Sequence, residues 1–405
     1  MLFTDAGCGL RYEWIVMKTT IPLALAALTL TATVCTAKTS LDPGAPPKHD
    51  PGAVNDSNRI QIALLLDTSS SMDGLIDQAK SQLWKIVNTF IEAKRDGMAP
   101  AVEVALYEYG NSTNSIANDW IRLISPMTRD LDKLSRELFA LKTNGGEEYC
   151  GAVIQRALGD LAWDANPKTY KVIFIAGNEP FTQGRIDSRS ACKEALAKGV
   201  IVNTIHCGDR EQGISGSWHD GAALAGGDFM VINQDKAVVH VTAPQDPRIA
   251  ELSRKLNDTY IGYGKLREEA ATNQRAADAD ASANAGKGAE VNRAVCKAST
   301  NYSNASWDMV DAMRDKKIDP AKLKDEELPE AMKALKPDER VAFVEKAAQS
   351  RAAIQTEIQT LNRQREAHVA EELKKQAKGG EKTLDQAMVE ATRNQAAKLG
   401  YTFSN

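Results

Sequence analysis

Short apolar runs alternate with segments of helical periodicity through the first two thirds of the chain. Residues 60–66 form the first run, and residues 170–175 and 200–205 form two later ones. Runs of this length that end in turn residues are typical of strands buried on both faces. Between them, as in residues 75–90, apolar side chains recur at the spacing of an amphipathic helix. The pattern predicts an α/β fold in which helices cover both faces of a mostly parallel sheet.

The last third of the chain has a helical pattern throughout, so we expect residues 263–405 to form an all-helical C-terminal region. The pattern is broken at Pro320, Pro329, Pro337 and Gly379-Gly380. A narrow apolar seam follows one face of it, at Val344, Ile354, Ile358 and Leu361. The seam is too thin for a full heptad zipper, so a solvated helical arm is favoured over an oligomerisation coiled coil.

The first 37 residues have the pattern of a signal region. Met17-Lys18 precedes a short apolar core at residues 21–32, and small residues follow at positions 35–37, where a signal peptidase would cut. The apolar core is too short to span a bilayer. Residues 1–16 fit no part of such a signal, which favours Met17 as the true initiator.

This signal predicts a periplasmic or secreted protein with no transmembrane segment once the signal is removed. Val34 is bulkier than a lipobox favours before Cys35, so a lipoprotein is the less favoured alternative. Residues 38–57 are rich in Pro, Gly and Asp and are interpreted as a linker. The α/β domain is then expected at residues 58–262.

Composition narrows the class of partner and the redox chemistry. The formal net charge is -4 and no basic block occurs, which argues against nucleic acid. Four cysteines remain after the signal, and an even number in an exported protein permits disulfides. Cys192 with Cys207 is the favoured pair, and free buried thiols are the alternative. No C-x-x-C motif supports a zinc or redox site.

The chemistry that stands out follows the first apolar run. Residues 60–74 read IQIALLLDTSSSMDG, so Asp67, Ser69 and Ser71 form a D-x-S-x-S motif directly after a predicted central strand. Ligands of open α/β sheets bind at the carboxyl ends of the strands. One carboxylate and two hydroxyls suit a hard divalent cation. The alternative interpretation is a helix N-cap cluster.

With three further stretches, this motif resembles the von Willebrand factor A (VWA) domain. They are the Gly145-Gly146 loop, KVIFI at residues 171–175 and LAGGDFMVI at residues 224–232. The resemblance implies a Rossmann-like fold with a metal-ion-dependent adhesion site at the top of the sheet. In that family Mg²⁺ is held by the D-x-S-x-S oxygens, a Thr of the second loop and an Asp of the third. An acidic residue of a partner often completes the shell.

The chain departs from the family pattern at two of these positions. Glu147 stands where the second-loop Thr is usual, and Gly177 stands where the third-loop Asp is usual. Asp67 together with Glu147 or Glu148 restores two carboxylates, so we expect a retained cation, Mg²⁺, with Mn²⁺ or Ca²⁺ as alternatives. The expected ligands are Asp67, Ser69, Ser71 and Glu147, and further candidate ligands or rim residues are Glu148, Asn178 and Glu179.

These features predict an exported adhesion-type module that binds a protein partner, one offering an acidic side chain to the cation. A metal-dependent hydrolase is one alternative, and a structural or scaffold protein with a metal-free VWA fold is another. The sequence has no G-x-S-x-G elbow, H-E-x-x-H motif or P-loop, so we do not expect an enzyme.

Overall fold

A computed structural model describes residues 54–90, 93–232, 241–283, 286–299, 301–376 and 384–403. Within them the strands are β1 (Val54–Asp67), β2 (Ala93–Lys94), β3 (Ala99–Tyr109), β4 (Arg122–Thr128), β5 (Tyr170–Gly177), β6 (Ile201–Cys207), β7 (Phe229–Ile232) and β8 (Thr402–Phe403). The first helices are α1 (Ile76–Thr89), α2 (Leu131–Ala140), α3 (Cys150–Asp160), α4 (Ser188–Ala197), α5 (Arg210–Ser215), α6 (Trp218–Leu224) and α7 (Asp246–Asn257). The later helices are α8 (Arg267–Ala283), α9 (Gly286–Lys297), α10 (Met309–Arg314), α11 (Glu330–Lys333), α12 (Pro337–Gln376) and α13 (Leu384–Ala397).

The predicted signal region and residues 38–53 of the predicted linker lie outside the described residues. Residues 54–57, which were also assigned to the linker, belong instead to the start of β1. Residues Asp50–Asn405 form one compact unit. No helix within the described ranges combines the length and the apolar character needed to cross a membrane.

Six strands form one sheet in the order β4-β3-β1-β5-β6-β7. Every neighbouring pair is parallel except β3 and β4, so the predicted mostly parallel sheet is confirmed. The central strand β1 lies between β3 and β5, and its last residue, Asp67, pairs with Tyr109 of β3. The edge strand β4 continues through Pro126 to Thr128. A proline is tolerated there because an edge strand has no neighbour on its outer side that would need the missing N–H.

Alternate residues of β1 enter two separate hydrophobic cores. Leu64 and Leu66 pack on one face with Leu83 of α1, whereas Leu65 packs on the other with Val153 of α3. This period of two is the geometry of a strand buried on both faces. It confirms that helices cover both sides of the sheet.

The predicted disulfide between Cys192 and Cys207 is wrong. Cys207 belongs to the core on the α1 face, whereas Cys192 belongs to the core on the α3 face, so the sheet separates them. Both thiols are free and buried. They act as small apolar side chains, which was the alternative interpretation.

The C-terminal region is helical, as predicted, but it is not a solvated arm. Val344 and Ile358 of the α12 seam are fully buried, and Ile358 packs with Ile249 of α7 and Val291 of α9. Farther along, Tyr401 joins the core on the α1 face, and β8 pairs with β2. A narrow seam is sufficient here because its partners lie within the same chain.

Candidate functional site

The central strand β1 brings Asp67 to the carboxyl edge of the sheet, and the backbone then turns sharply. Asp67 is fully buried, and its Oδ1 accepts a hydrogen bond from the backbone N–H of Ser69 at 2.8 Å. Its other oxygen, Oδ2, is buried and has no hydrogen-bond partner among the described residues. A buried carboxylate oxygen without a partner is unusual and needs a physical explanation.

The two motif serines and the loop after β5 form one hydrogen-bonded group. The Oγ atoms of Ser69 and Ser71 are hydrogen-bonded at 2.8 Å. The hydroxyl of Ser71 donates to Oδ1 of Asn178 at 3.0 Å, and Nδ2 of Asn178 donates back to the Ser71 carbonyl at 3.2 Å. The amide oxygen of Asn178 therefore lies beside the serine hydroxyls.

A second carboxylate, that of Glu148, enters the site from the loop that precedes α3. Glu148 is buried, with 6% of its surface exposed. A Cβ placed on Gly110 would lie 2.7 Å from Oδ1 of Asp67 and 3.0 Å from Cγ of Glu148. The two acidic side chains thus share the space above Gly110. A larger residue at position 110 would fill that space.

Burial and mutual repulsion disfavour charge on both acids. Burial raises the pKa of Asp67 to about 7, the negative charge of Glu148 adds to this increase, and hydrogen bonding by Ser69 and by the backbone N–H of Asn178 opposes it. Burial also raises the pKa of Glu148, and nearby Glu179 and Glu147 add to that increase, while a hydrogen bond from the Ser69 hydroxyl lowers it. A cation at this point would favour the charged form of both carboxylates.

The expected ligand Glu147 lies at the protein surface. Its side chain is exposed, and its Oε2 accepts a hydrogen bond from Nε2 of Gln183 at 3.0 Å. The next residue, Glu148, takes the inward position. Glu179 is half-buried, and its backbone carbonyl accepts a hydrogen bond from Nε1 of Trp218 at 2.8 Å. Glu179 thus contributes rim charge near Glu148.

The packing around Gly177 shows why the third-loop acid is absent. A Cβ on Gly177 would lie 2.4 Å from the hydroxyl of Tyr109 and 3.1 Å from both Cβ of Asp67 and Cη2 of Trp218. The Tyr109 hydroxyl is fixed because it donates to the Ala176 carbonyl at 3.0 Å. Tyr109 was not among the predicted site residues, and it reaches the site because it is the last residue of β3, directly opposite Asp67 of β1.

The donor set fits a hard cation better than a soft one. It comprises the carboxylates of Asp67 and Glu148, the hydroxyls of Ser69 and Ser71 and the amide oxygen of Asn178. Oxygen ligands of this kind, supplemented by waters, are those that Mg²⁺ and Ca²⁺ prefer. Among the described residues, no three His, Cys, Asp or Glu side chains are grouped to hold a metal. A cation here would therefore depend on the hydroxyl and amide oxygens as well as the acids.

An open cleft of about 710 Å³ lies beside this group of oxygens. Leu75 and the loop after β5 form part of its wall, including Asn178 and Glu179, and Asp209 and Gln212 line it as well. A partner segment that reached the cation site could therefore also occupy the cleft.

Several solved structures are similar to the chain. The SpRpn10 VWA domain is 18% identical with a TM-score of 0.35, and the match covers 44% of this chain and 90% of that one. BatB from Bacteroides thetaiotaomicron is 15% identical with a TM-score of 0.34, over 43% of this chain and 90% of its own. Proximal thread matrix protein 1 from the mussel byssus, with a zinc-occupied MIDAS motif, is 12% identical with a TM-score of 0.32, over 45% and 43%.

No protein-family model matches the sequence, and no curated protein matches it. The similarity to VWA domain structures agrees with the sequence resemblance. At these identities it concerns the fold alone.

Proposed function

We propose that this chain is an exported protein-interaction module that binds a divalent cation at the carboxyl edge of its sheet. The observation that carries the proposal is the Oδ2 atom of Asp67, which is buried without a hydrogen-bond partner among the described residues. Glu148 is also buried and its negative charge helps to raise the pKa of Asp67, while no cationic side chain of the described residues forms an ion pair with Asp67. A bound cation would supply the missing positive charge.

The cation would be held by the oxygens of Asp67, Glu148, Ser69, Ser71 and Asn178. Mg²⁺ is the proposed ion, since its octahedral shell would take these oxygens and leave one position for a water. Its contribution would be an exchangeable coordination position, at which a partner's oxygen replaces a water. The chain's own part is to fix the oxygens on a rigid sheet edge and to shape the rim around them.

A thermal unfolding experiment tests the cation. The melting temperature of the parent should rise when Mg²⁺, Mn²⁺ or Ca²⁺ is added to chelator-treated protein, because an ion bound only to the folded state stabilises it. Asp67→Ala should lose this rise. Ser70→Ala is the matched control, because Ser70 is exposed and lies between the two ligand serines. If none of the three ions changes the melting temperature of the parent, the proposed cation site is rejected.

We propose binding rather than catalysis because the serine hydroxyls form part of one group of oxygens. They are hydrogen-bonded to each other and to Asn178, and the Ser69 hydroxyl also hydrogen-bonds to the buried carboxylate of Glu148. No histidine of the described residues is a hydrogen-bond partner of these hydroxyls, and His206 of β6 is buried against Trp218, with ring centroids 5.7 Å apart. A screen against phosphoesters and peptides tests this choice. Turnover by the parent that disappears in Asp67→Ala would favour a metal-dependent hydrolase.

The proposed periplasmic or secreted location rests on the signal pattern of residues 1–37. Fractionation of cells that express the full chain should place the processed protein outside the cytoplasm. Deletion of residues 17–37 should retain it inside. A full-length, unprocessed product in the cytoplasm would contradict export.

A further inference from the structure

A buried lysine of the helical region, Lys297, has its amine between a carboxamide and a carboxylate. Lys297 is the last residue of α9, and its Nζ donates a hydrogen bond to Oδ2 of Asp278 in α8 at 2.6 Å. The same Nζ donates to Oδ1 of Asn257, the last residue of α7. Nδ2 of Asn257 in turn donates to Oδ2 of Asp278 at 2.8 Å. An amine, a carboxamide and a carboxylate from three helices are therefore in mutual contact.

The surroundings of Lys297 favour a neutral amine. Its side chain is fully buried, and burial lowers the pKa of the amine, although the charge of Asp278 opposes this effect. A neutral amine is the nucleophilic form of lysine. Lys80 and Lys171 are also buried, but their amines donate to backbone carbonyls, and neither has a side-chain amide as a partner among the described residues. Of these three lysines, Lys297 alone contacts a carboxamide.

The two oxygens of Asp278 have separate partners. Oδ1 accepts a hydrogen bond from Nε of Arg293 at 2.9 Å, which orients the carboxylate. Oδ2 accepts from both Lys297 and Asn257. An oxygen that is hydrogen-bonded to an attacking and a departing nitrogen can take a proton from one and deliver it to the other. Because 20% of its side chain is exposed, Asp278 can also exchange a proton with solvent.

We propose that Lys297 and Asn257 form an intramolecular isopeptide bond, with Asp278 carrying protons between their nitrogens. Oδ2 of Asp278 takes a proton from the Lys297 ammonium, and the neutral Nζ attacks Cγ of Asn257. Asp278 then gives that proton to Nδ2 and takes a second one from Nζ. The new Nζ–Cγ bond remains, the Cγ–Nδ2 bond breaks, and ammonia leaves. Asp278 finally returns the second proton to solvent, so the step needs no oxidant, reductant or other reactant.

The bond would fasten α7 to α9 at a point where the helices already pack together. Ile249 of α7 and Val291 of α9 share a buried core with Ile358 of α12. The link would close residues 257–297 into a covalent loop, and a covalent loop restricts the unfolded chain. The four cysteines of the described residues are free, so none of them supplies such a link. The reaction is independent of the proposed cation site.

Peptide mass spectrometry of the purified full chain tests the bond. Trypsin should release residues 256–265 and 294–314 as one branched peptide, because trypsin does not cleave after an acylated lysine. The mass of this peptide should equal the sum of the two parts minus one ammonia, and fragmentation should place the link between Asn257 and Lys297. Two separate, unmodified peptides with cleavage after Lys297 would overturn the proposal.

Two matched variants test the part played by Asp278. Asp278→Asn preserves the size of the side chain but removes the proton carrier, so it should lose the branched peptide while keeping the circular dichroism of the parent. Asp280→Asn is the control, because Asp280 is exposed on the same helix, and it should retain the branched peptide. An equal yield of branched peptide in Asp278→Asn and the parent would contradict the role of Asp278.

A third variant covers the case in which Asp278→Asn does not fold. Asn257→Ala removes the carboxamide and leaves the charges of Lys297 and Asp278 paired. It should show the unlinked peptides, with cleavage after Lys297. A branched peptide that persists in Asn257→Ala would overturn the proposed bond.

Discussion

The helical region and the carboxyl edge of the sheet both bury carboxylates, but they neutralise them differently. In the helical region, Nη1 of Arg351 lies 2.7 Å from Oδ2 of Asp308 and 3.1 Å from Oδ1 of Asp311, and all three side chains are buried. At the sheet edge, Oδ2 of Asp67 is equally buried and has no partner among the described residues. Asp67 makes no ion pair with any of them.

A second helical-region acid sharpens this contrast. Burial raises the pKa of Asp278, but the charges of Lys297 and Arg293 outweigh that effect, so its pKa is lowered overall. Without such a cation, burial raises the pKa of Asp67 to about 7. Burying a charge is costly unless it is paired. The helical-region acids are thus neutralised by side chains of the chain itself, whereas our proposal assigns the neutralisation of Asp67 to a bound cation.

Removing an internal cation should have the largest effect. Arg351→Met leaves Asp308 without an ion-pair partner in the interior and Asp311 with Arg314 alone, and should lower the free energy of unfolding by roughly 3–5 kcal/mol. Mg²⁺ should not restore it. Urea denaturation followed by circular dichroism measures the change. Arg248→Met is the control, because Arg248 pairs with Glu357 of α12, the helix that carries Arg351, but this ion pair is exposed, so its loss should lower the stability far less. Equal losses of unfolding free energy in the two variants would contradict the difference proposed between the buried and the exposed ion pair.

At the sheet edge, the stability of the folded state should fall as the pH rises, because Asp67 must lose its proton while buried. Since the pKa of Asp67 is about 7 in the folded chain and the ordinary pKa of an aspartate is 3.8, the folded state holds the proton more tightly. In chelator, its contribution is fully present below about pH 4 and is lost as the pH rises to about 7. The loss is on the order of 2–4 kcal/mol.

Denaturation of the parent and of Asp67→Asn at several pH values measures this loss. The variant has no titrating group at position 67, so the difference between the two proteins should change between pH 4 and 7. A difference that stays constant over this range would show that the buried carboxylate is neutralised by something within the chain.

A methyl group at the third loop should have a moderate effect. Gly177→Ala places a Cβ against the Tyr109 hydroxyl and should cost roughly 1–3 kcal/mol of stability. Tyr109→Phe removes the oxygen of the contact and should recover part of the loss. Gly159→Ala is the control, because no atom outside the neighbouring turns of its own helix lies within 4 Å of its Cβ position. Equal melting temperatures for the parent and Gly177→Ala would refute this account of the missing acid.

The smallest effect is expected at Glu147. Glu147→Gln should leave the Mg²⁺ midpoint of the melting-temperature rise within about twofold of the parent, because the side chain is exposed and turned to Gln183. Glu148→Gln should shift that midpoint to higher Mg²⁺. The reverse order of sensitivity would restore Glu147 as the ligand.

The fold and the first half of the site could be predicted because their signals are local. Buried strands appear as apolar runs, and Asp67, Ser69 and Ser71 lie in one turn whose geometry brings their oxygens together. The choice between Glu147 and Glu148 could not be made, because it depends on which way an irregular loop turns each side chain.

Other errors arose from contacts between distant parts of the chain. Cys192 and Cys207 are near in sequence, but the helix and the strand that carry them face opposite cores. The seam of α12 was too narrow to predict its burial, because Ile358 depends on α7 and α9 for its partners. The absence of an acidic side chain at position 177 likewise depends on Tyr109, which comes from another strand.

The central claim is that the buried acids at the sheet edge bind a cation, and counting the bound ions tests this claim most directly. Equilibrium dialysis of the chelator-treated chain against Mn²⁺, with the bound metal quantified by atomic emission, should give one ion per parent chain. Asp67→Asn should give none under the same conditions, while Arg351→Met, if folded, should still give one. No bound ion in the parent, or an equal number in Asp67→Asn, would contradict the account.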